Sequence, residues 1–408
     1  ENTESVFRTV SSKVGKHLCR LPDGETGKRI GWIKYLQDYL NNQHPDMKTD
    51  TETPPLQWRQ WDGLLLREVP MAKFKCSVDP KTVTFDTGYA DAAITSFGTF
   101  DKLQSEGTII PDIKFQICIP TPLAPGYNFV APRAQDDFIP AYTNHIIDEV
   151  AKIGTALPND RISIQWDVCQ EVLMWEQYYD YERPSYKKEI FSILGKIGNA
   201  VPEPIELGYH LCYGSPKDEH LVQPKDTANM VEMTHGILSY VNRSIQFMHL
   251  PVPKERDDDT YFNPLKELEL PKGTDLYLGL IHYNDEEGDV RRLKKAKEFN
   301  KVFIHVRLFY AYGAGQQHNS LVNQLYKNSI ENKGMQLSPC EHYRDYIYIE
   351  DVVNAFLHAS VMNYDILLDR NDITLNVASG KGTSVKEVFS LISHEVEKIT
   401  GIRGVIKN

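Results

Sequence analysis

Short apolar runs alternate with segments of helical periodicity over roughly the first 300 residues. Strand-like runs such as "IKFQICIPTP", "RISIQWDVCQE" and "ELGYHLCYG" are each followed by a helix-like run, for example "PSYKKEIFSILGKIG". Strands that alternate with helices in this way predict a parallel sheet covered by helices. An open doubly wound sheet and a closed eight-stranded barrel both fit that alternation.

The positions of the polar residues favour the barrel, because they gather at the carboxyl ends of several strands rather than at one switch point. The residues at these ends are Asp23, Glu25, Asp167, Glu171, His210, Cys212, His249 and His282. We therefore predict an α/β fold: a TIM-type (β/α)8 barrel with its site at the carboxyl-terminal mouth, followed by a C-terminal α/β extension. Because the strand signals fall short of eight, "VFIHVRLF" at 302–309 is expected to close the barrel.

Composition limits the classes of partner. The 408 residues suffice for two or three domains, and the net charge of −11 argues against nucleic acid or an anionic membrane as the main partner. The six cysteines form no CxxC pair, which is typical of reduced thiols inside a cell. The sequence begins without the apolar run of a signal peptide and contains no run of transmembrane length. We expect a cytoplasmic protein that acts on a small molecule.

The segment "ELGYHLCYGSP" places His210 and Cys212 two residues apart on a strand, so both side chains project to one face. Zinc accepts imidazole and thiolate ligands, and the pair would supply half of a four-ligand shell. Free cysteines are also often simply buried, with a histidine as a hydrogen-bonded neighbour. On the pair alone, the structural interpretation is favoured.

The segment "LPDGETGKR" has the glycines and lysine of a phosphate-binding loop without its spacing, since GxxxxGK[ST] needs a longer interval and a hydroxyl after the lysine. A tight turn that displays Asp23 and Glu25 to substrate at the barrel mouth and a helix cap explain this segment equally well.

Two further segments supply candidate chemistry. In "ISIQWDVCQE", Asp167 faces into the barrel, where general acid or base work with Glu171 as partner is favoured over a carboxylate bonded to backbone amides. In "MHLPVPKERDDDTYFNPL", Asp258 and Tyr261 are candidate substrate contacts, and a solvated charge cluster is the alternative. His249, at a strand end, is a further candidate substrate contact.

In this order, "LPDGETGKR", "IQWDVCQE", "YHLCYG", "HLPVPKERDDDTYFNPL" and "LYLGLIHYNDEEGDVRRLKKA" resemble the UROD/MetE-like barrel proteins, relatives of the cobalamin-independent methionine synthase catalytic domain. The resemblance covers roughly residues 10 to 300. It implies a methyltransferase-like enzyme in which zinc activates a thiol, with His210 and Cys212 as metal ligands and Asp167 as the acid. The family's glutamate and second cysteine ligands have no match, and His249 is the nearest substitute. Zinc is thus the candidate metal, with weak or no binding expected.

A lyase or decarboxylase on the same barrel is the first alternative, because Asp167, Glu171 and His282 offer acid and base groups without a metal.

From about residue 303, "VRLFYAYGAGQ", "HYRDYIYIEDVVNAFLHAS" and "TLNVASGKGTSVKEVFSLI" resemble instead the C-terminal part of extended short-chain dehydrogenases, the NAD-dependent epimerase/dehydratase family. The resemblance implies that Arg344 helps to hold a nucleotide diphosphate. Tyr310 stands where that family usually has asparagine.

The amino-terminal features of that family are missing from the sequence. No strand is followed by GxxGxxG, and the Tyr-xxx-Lys at 213–217 lies in the barrel segment. We therefore expect no NAD, and the second alternative function is a nucleotide-sugar-binding module without catalysis. The sequence reads as a composite of a barrel domain at 1–301 and an epimerase-like segment at 302–408.

Overall fold

In the computed structural model, two compact units are distinguished: unit 1, residues 1–299, and unit 2, residues 300–408. Each is described by itself. The structure describes residues 2–179, 185–215, 220–282, 285–297, 304–308, 310–313, 320–331, 333, 335–336, 342–360, 373–401 and 406–407.

Unit 1 is built around a sheet of six parallel strands in the order β1-β6-β7-β8-β9-β10. Strands β6 to β10 follow one another along the chain, and four short strands outside this sheet separate β1 from β6. The sheet is curled into a half-barrel. The strands of unit 1 are β1 Arg20–Pro22, β2 Met47–Thr49, β3 Leu56–Arg59, β4 Leu65–Val69, β5 Ala72–Phe74, β6 Lys114–Pro120, β7 Ile162–Val168, β8 Glu206–Leu211, β9 Phe247–Pro251 and β10 Asp275–Gly279. The antiparallel pairs β2–β5 and β3–β4 lie in the connection between β1 and β6.

Helices connect the sheet strands and cover the sheet, as parallel pairing requires. They are α1 Thr3–Val14, α2 Trp32–Asp38, α3 Tyr89–Ser105, α4 Leu123–Phe129, α5 Gln135–Ala156, α6 Gln170–Trp175, α7 Tyr186–Asn199, α8 Ala228–Tyr240, α9 Asp259–Phe262 and α10 Glu286–Lys297. Apolar residues of most of these helices and one face of the sheet form the main hydrophobic core, to which α3 contributes Phe97, Phe100 and Leu103. Val252 packs with Tyr261 and Phe262 of α9 in a smaller cluster.

The strand β7 shows why the sequence folds this way. Ile164, Trp166 and Val168 alternate along it and are completely buried in the helix-covered core. Gln165 and Asp167 lie between them on the opposite, concave face and are half-buried. Since successive side chains of a strand point to opposite faces, an apolar position at every second residue fixes which residues reach the concave face.

The expected eight-stranded barrel is not what the structure shows. Six parallel strands form the sheet within the described residues of unit 1. The segment expected to close the barrel is described as β11, Ile304–Leu308, and it pairs in parallel with β15, Ile373–Val377, in unit 2. The expectation was wrong because strand partners distant in sequence leave no mark in the local hydrophobic pattern, which identifies a strand but not its neighbour.

Unit 2 is a smaller α/β unit whose described strands form three short sheets, β11–β15, β12–β14–β16 and β13–β17. Its remaining strands are β12 Tyr310–Tyr312, β13 Met335–Gln336, β14 Tyr343–Tyr348, β16 Gly382–Ser384 and β17 Ile406–Lys407. Its helices are α11 Leu321–Ile330, α12 Ile349–Ser360 and α13 Val385–Thr400. Ile347, Val352 and Val377 form its core. The α13 helix begins with a capping box, in which Ser384 and Glu387 satisfy each other's backbone amides.

Candidate functional site

A cavity of about 500 Å³ opens on the concave face of unit 1, at the carboxyl ends of β6, β7 and β8. The position follows from the strand alternation, which sends the polar residues of these strands to this face. Its polar and sulfur-bearing lining residues are Glu25, Tyr89, Cys118, Asn128, Gln165, Asp167, Cys169, Gln170, His210, Cys212 and Ser215. The cavity thus collects side chains from three strands and from the turn after β1.

Asp167 lies on the cavity wall, and its Oδ1 accepts a hydrogen bond of 2.8 Å from Gln165 Nε2. Burial raises the pKa of Asp167 to about 7, against the opposing effects of the His210 charge and the Gln165 hydrogen bond. A carboxyl with this pKa exchanges its proton near neutral pH, which suits acid or base work. The predicted role of Asp167 as an acid stays a prediction.

Glu171 lies in the first turn of α6, directly after β7, and is completely buried. Thr121 Oγ1 donates a hydrogen bond of 2.5 Å to Glu171 Oε1. Burial raises the pKa of Glu171 to about 7, although the bond from Thr121 acts in the opposite direction. Glu171 is not among the residues that line the cavity.

His210 and His249 face each other across the β8–β9 pair, with their Nδ1 atoms 2.5 Å apart and their rings stacked at 4.7 Å. Burial and the neighbouring His210 lower the pKa of His249 to about 4. The pKa of His210 is raised, because the hydrogen bond and charge of Cys212 outweigh the effect of burial. The two pKa values therefore shift in opposite directions, and His210 is the more basic imidazole of the pair.

Cys212 and Cys169 lie at the ends of the neighbouring strands β8 and β7. The Cys169 thiol donates a hydrogen bond to the Cys212 sulfur, and this bond, with further help from His210, lowers the pKa of Cys212 well below its usual range despite burial. The same bond, together with burial, raises the pKa of Cys169. Cys212 is therefore the more acidic of the two thiols.

The turn after β1 brings Glu25 to the cavity and holds Asp23 beside it. Asp23 forms an ion pair of 2.7 Å with Arg29 and accepts a 2.6 Å hydrogen bond from Ser96, and its Oδ1 caps the Glu25 amide at 2.9 Å. Gly24, with φ of +75°, allows this turn, which L-residues with a Cβ rarely adopt. Burial and the charge of Asp23 raise the pKa of Glu25.

Asp23, Glu171 and His249 are not among the lining residues of this cavity, and three further predicted site residues of unit 1 also lie outside it. His282 Nε2 bonds to the Val252 carbonyl at 2.8 Å. Asp258 is the N-cap of α9, where it accepts from the Tyr261 amide and pairs with Arg256. Tyr261 is completely buried and donates to a backbone carbonyl.

The structure brings together Glu25, Asp167, His210 and Cys212, and adds a residue that sequence reasoning missed, Cys169. The signal for Cys169 was its position two residues after Asp167, on the same strand face.

The candidate zinc site that the resemblance implies has no support among the described residues. Among the described residues, no group of three or more His, Cys, Asp or Glu side chains is placed to hold a metal ion. His210 and Cys212 lie together, but the neighbouring His249 turns its Nδ1 to His210.

In unit 2, Arg344 is exposed on β14, and its guanidinium lies over the ring of Tyr310, 4.9 Å from the ring centre. The next residue, Asp345, accepts hydrogen bonds from the Ser379 amide and hydroxyl, both at 2.7 Å, and from the Gly380 amide at 2.8 Å. Strand β14 therefore carries the Arg344 guanidinium, which stacks on Tyr310, and its Asp345 carboxylate binds the loop that follows β15.

The sequence matches the NAD dependent epimerase/dehydratase family over residues 291–366. It is also 29% identical over 100 residues to a CDP-abequose synthase of Salmonella muenchen, a match that covers 24% of this chain. The chain spans about a third of the length of that curated relative, 33%. The C-terminal segment is therefore epimerase/dehydratase-like, as its motifs predicted.

Similar solved structures include a putative vitamin-B12 independent methionine synthase from Listeria monocytogenes, with 13% identity, coverage of 72% of this chain and 76% of that chain, and a TM-score of 0.43. They also include a UDP-glucuronic acid 4-epimerase from Bacillus cereus, solved with UDP-glucuronic acid and NAD. That structure is 12% identical in sequence, the match covers 64% of this chain and 81% of that chain, and the TM-score is 0.25. At these scores neither likeness carries an argument about function.

The family match corrects several expectations. It overturns the expected methionine synthase-type methyltransferase, because the matched family modifies its substrates with NAD. The lyase or decarboxylase and the module without catalysis are not supported either. The expected absence of NAD was also wrong, since the matched family is NAD dependent. In the described part of the chain, no helix is long and apolar enough to span a membrane.

Proposed function

We propose that this chain acts on nucleotide sugars as an enzyme of the NAD-dependent epimerase/dehydratase class, and that residues of unit 2 contact the nucleotide sugar. The observation that carries the proposal is the family match over 291–366, which includes β14 and Arg344. The similarity to a CDP-abequose synthase supports a nucleotide-linked sugar as the substrate class.

The geometry of β14 supports a diphosphate contact. A guanidinium presents several N–H donors in a planar fork and forms strong, bidentate hydrogen bonds with phosphate oxygens. Arg344 is exposed, and the Tyr310 ring beneath it restricts the orientation of its guanidinium. Tyr310 stands where the family usually has asparagine, so an aromatic ring takes the place of an amide next to the proposed phosphate contact.

The glycine-rich turn that binds the dinucleotide in such enzymes is not recognisable in this sequence. A dinucleotide-binding turn needs closely spaced glycines between a strand and the start of a helix. The sequence contains neither GxGxxG nor GxxGxxG. In unit 2, Gly380 has φ of +75° and follows β15, but the next described element is the strand β16 rather than a helix. The contact with the nucleotide sugar is therefore the part of the site to which we assign particular residues, Arg344 and Tyr310.

Titration calorimetry of UDP-glucose and CDP-glucose into the full chain tests the proposal. If Arg344 binds the diphosphate, Arg344→Ala removes a charge-assisted hydrogen bond, which is worth roughly 1.5–3 kcal/mol, or about a 10- to 100-fold rise in Kd. Lys327→Ala on α11 is a matched control, because it removes an exposed positive charge from the same unit. Binding by the wild type with equal affinity in Arg344→Ala would contradict the assignment of Arg344.

Conversion of the sugar is tested separately. The full chain is incubated with NAD and each nucleotide sugar, and the products are followed by proton NMR. The proposal predicts a new nucleotide-sugar species in the presence of NAD. The absence of both binding and conversion would refute the proposed function.

A further inference from the structure

The geometry points to a second site, independent of the proposed function: Cys169 and Cys212 form a redox-active dithiol that exchanges with small-molecule disulfides in the cavity of unit 1. In this site Cys212 is the attacking sulfur and Cys169 the resolving sulfur.

The pairing of β7 with β8 places the two cysteines side by side. Val168 and Leu211 are register partners, and Cys169 and Cys212 are the next residues of the two strands. The Cys212 amide donates to the Val168 carbonyl at 3.0 Å, so the parallel pairing extends to the cysteines. Neighbouring strands lie about 4.7–4.9 Å apart, which is within the Cα separation of about 4.4–6.8 Å that disulfides span.

Both sulfurs can be reached by a ligand. Cys169 and Cys212 are partly exposed, and both line the 500 Å³ cavity together with His210. The loop after β8 passes close to the pair, since a Cβ at Gly214 would lie 3.5 Å from Cys169 Sγ. Gln170 Nε2 donates a hydrogen bond of 3.6 Å to the same sulfur.

A small-molecule disulfide, R–S–S–R, is the oxidant of the two cysteines. Cys212 Sγ attacks one sulfur of R–S–S–R and gives up its proton, the S–S bond breaks, and the released RS⁻ takes up that proton. The Cys169 thiol then attacks Cys212 Sγ of the mixed disulfide, and the second RSH leaves with the Cys169 proton. Two electrons pass from the cysteines to the small disulfide, which becomes two thiols.

The other described cysteines lack this arrangement. Cys118 lines the same cavity, but its register partner on β7 is Gln165, four residues before Cys169. Cys19 and Cys76 are exposed elsewhere in unit 1. Cys118 is therefore an internal control that shares the cavity but not the register.

Peptide mapping of the full chain tests the inference. The protein is equilibrated with oxidised and reduced glutathione, its free thiols are blocked with N-ethylmaleimide, and it is digested with trypsin. Cleavage at Lys187 and Lys196 separates the Cys169 peptide from the Cys212 peptide, so a disulfide between them appears as a linked pair. We expect close to one such link per chain, at glutathione ratios that leave Cys118 alkylated.

Single variants separate the two roles. Cys169→Ser should accumulate a stable mixed disulfide at Cys212, carrying one glutathione, because no resolving thiol is present. Cys212→Ser should leave Cys169 free, and Cys118→Ser should form the link as the wild type does. The disulfide link in the wild-type chain is measured without any variant, so this test does not depend on whether a variant folds. Absence of the link under oxidising conditions, a link to another cysteine instead, or a Cys169→Ser variant without trapped glutathione would overturn the inference.

Discussion

The buried carboxyl of Glu171 is predicted to make unit 1 less stable as the pH rises. Its pKa is raised from an ordinary value of 4.5 to about 7, with burial as the main cause. Below roughly pH 4.5 both the folded and the unfolded chain bind the proton, and the group has no effect on stability. Between the two pKa values only the unfolded chain releases it, so stability falls as pH rises and the full loss is reached above about pH 7.

The size of the effect follows from the difference in pKa. A shift from 4.5 to about 7 corresponds to about 3 kcal/mol, at 1.36 kcal/mol for each pKa unit. Glu171→Gln keeps the shape of the side chain and an oxygen that accepts from Thr121, but it cannot ionise. The free energy of unfolding of the wild type should therefore fall by about 3 kcal/mol relative to Glu171→Gln between about pH 4.5 and about pH 8.

Urea unfolding followed by tryptophan fluorescence measures this difference. The five tryptophans are Trp32, Trp58, Trp61, Trp166 and Trp175. Because all belong to unit 1, the signal reports on the unit that contains Glu171. Glu269→Gln, at an exposed position, is the matched exchange of carboxyl for amide. Parallel stability profiles of the wild type and Glu171→Gln over this pH range would refute the reasoning.

Three further changes should have local effects. Gly208→Ala should cost about 1–3 kcal/mol in urea unfolding, because its Cβ would lie 2.1 Å from the Phe247 ring, and unchanged stability would contradict this packing. Arg292→Met should cost about 3–5 kcal/mol in the same assay, since the buried guanidinium pairs with carboxylates that would then lose their partner. Asp345→Ala should speed hydrogen exchange of the amides at 379 and 380, which donate to this carboxylate, and equal rates would argue against those bonds.

The hydrophobic pattern was sufficient to predict the strands that build the cavity. The alternation in "ISIQWDVCQE" identified β7 and the face on which Asp167 lies. Because the apolar residues occupy the buried face, the residues between them must lie on the opposite face. The alternation in "ELGYHLCYG" did the same for His210 and Cys212 on β8.

What failed were inferences that depend on contacts between distant residues. The segment of β11 has the composition of a strand, but its partner β15 lies about 70 residues further along the chain. Asp258 follows a strand in sequence, yet it caps a helix, because a carboxylate just before a helical turn satisfies free backbone amides. Cys169 was missed for a related reason: its proximity to Cys212 depends on the β7–β8 register, which neither strand reveals alone.

The two-sided pattern of β7 separates the positions at which this protein can be altered. Changes at Ile164, Trp166 or Val168 act on the packed core, which tolerates little change in volume. Changes at Gln165 or Asp167 alter the chemistry of the cavity from the opposite face of the strand. A library confined to this second set would explore new ligands on a constant scaffold. Insertion of one residue into the strand would exchange the two sets, and would remove the cavity chemistry and the core together.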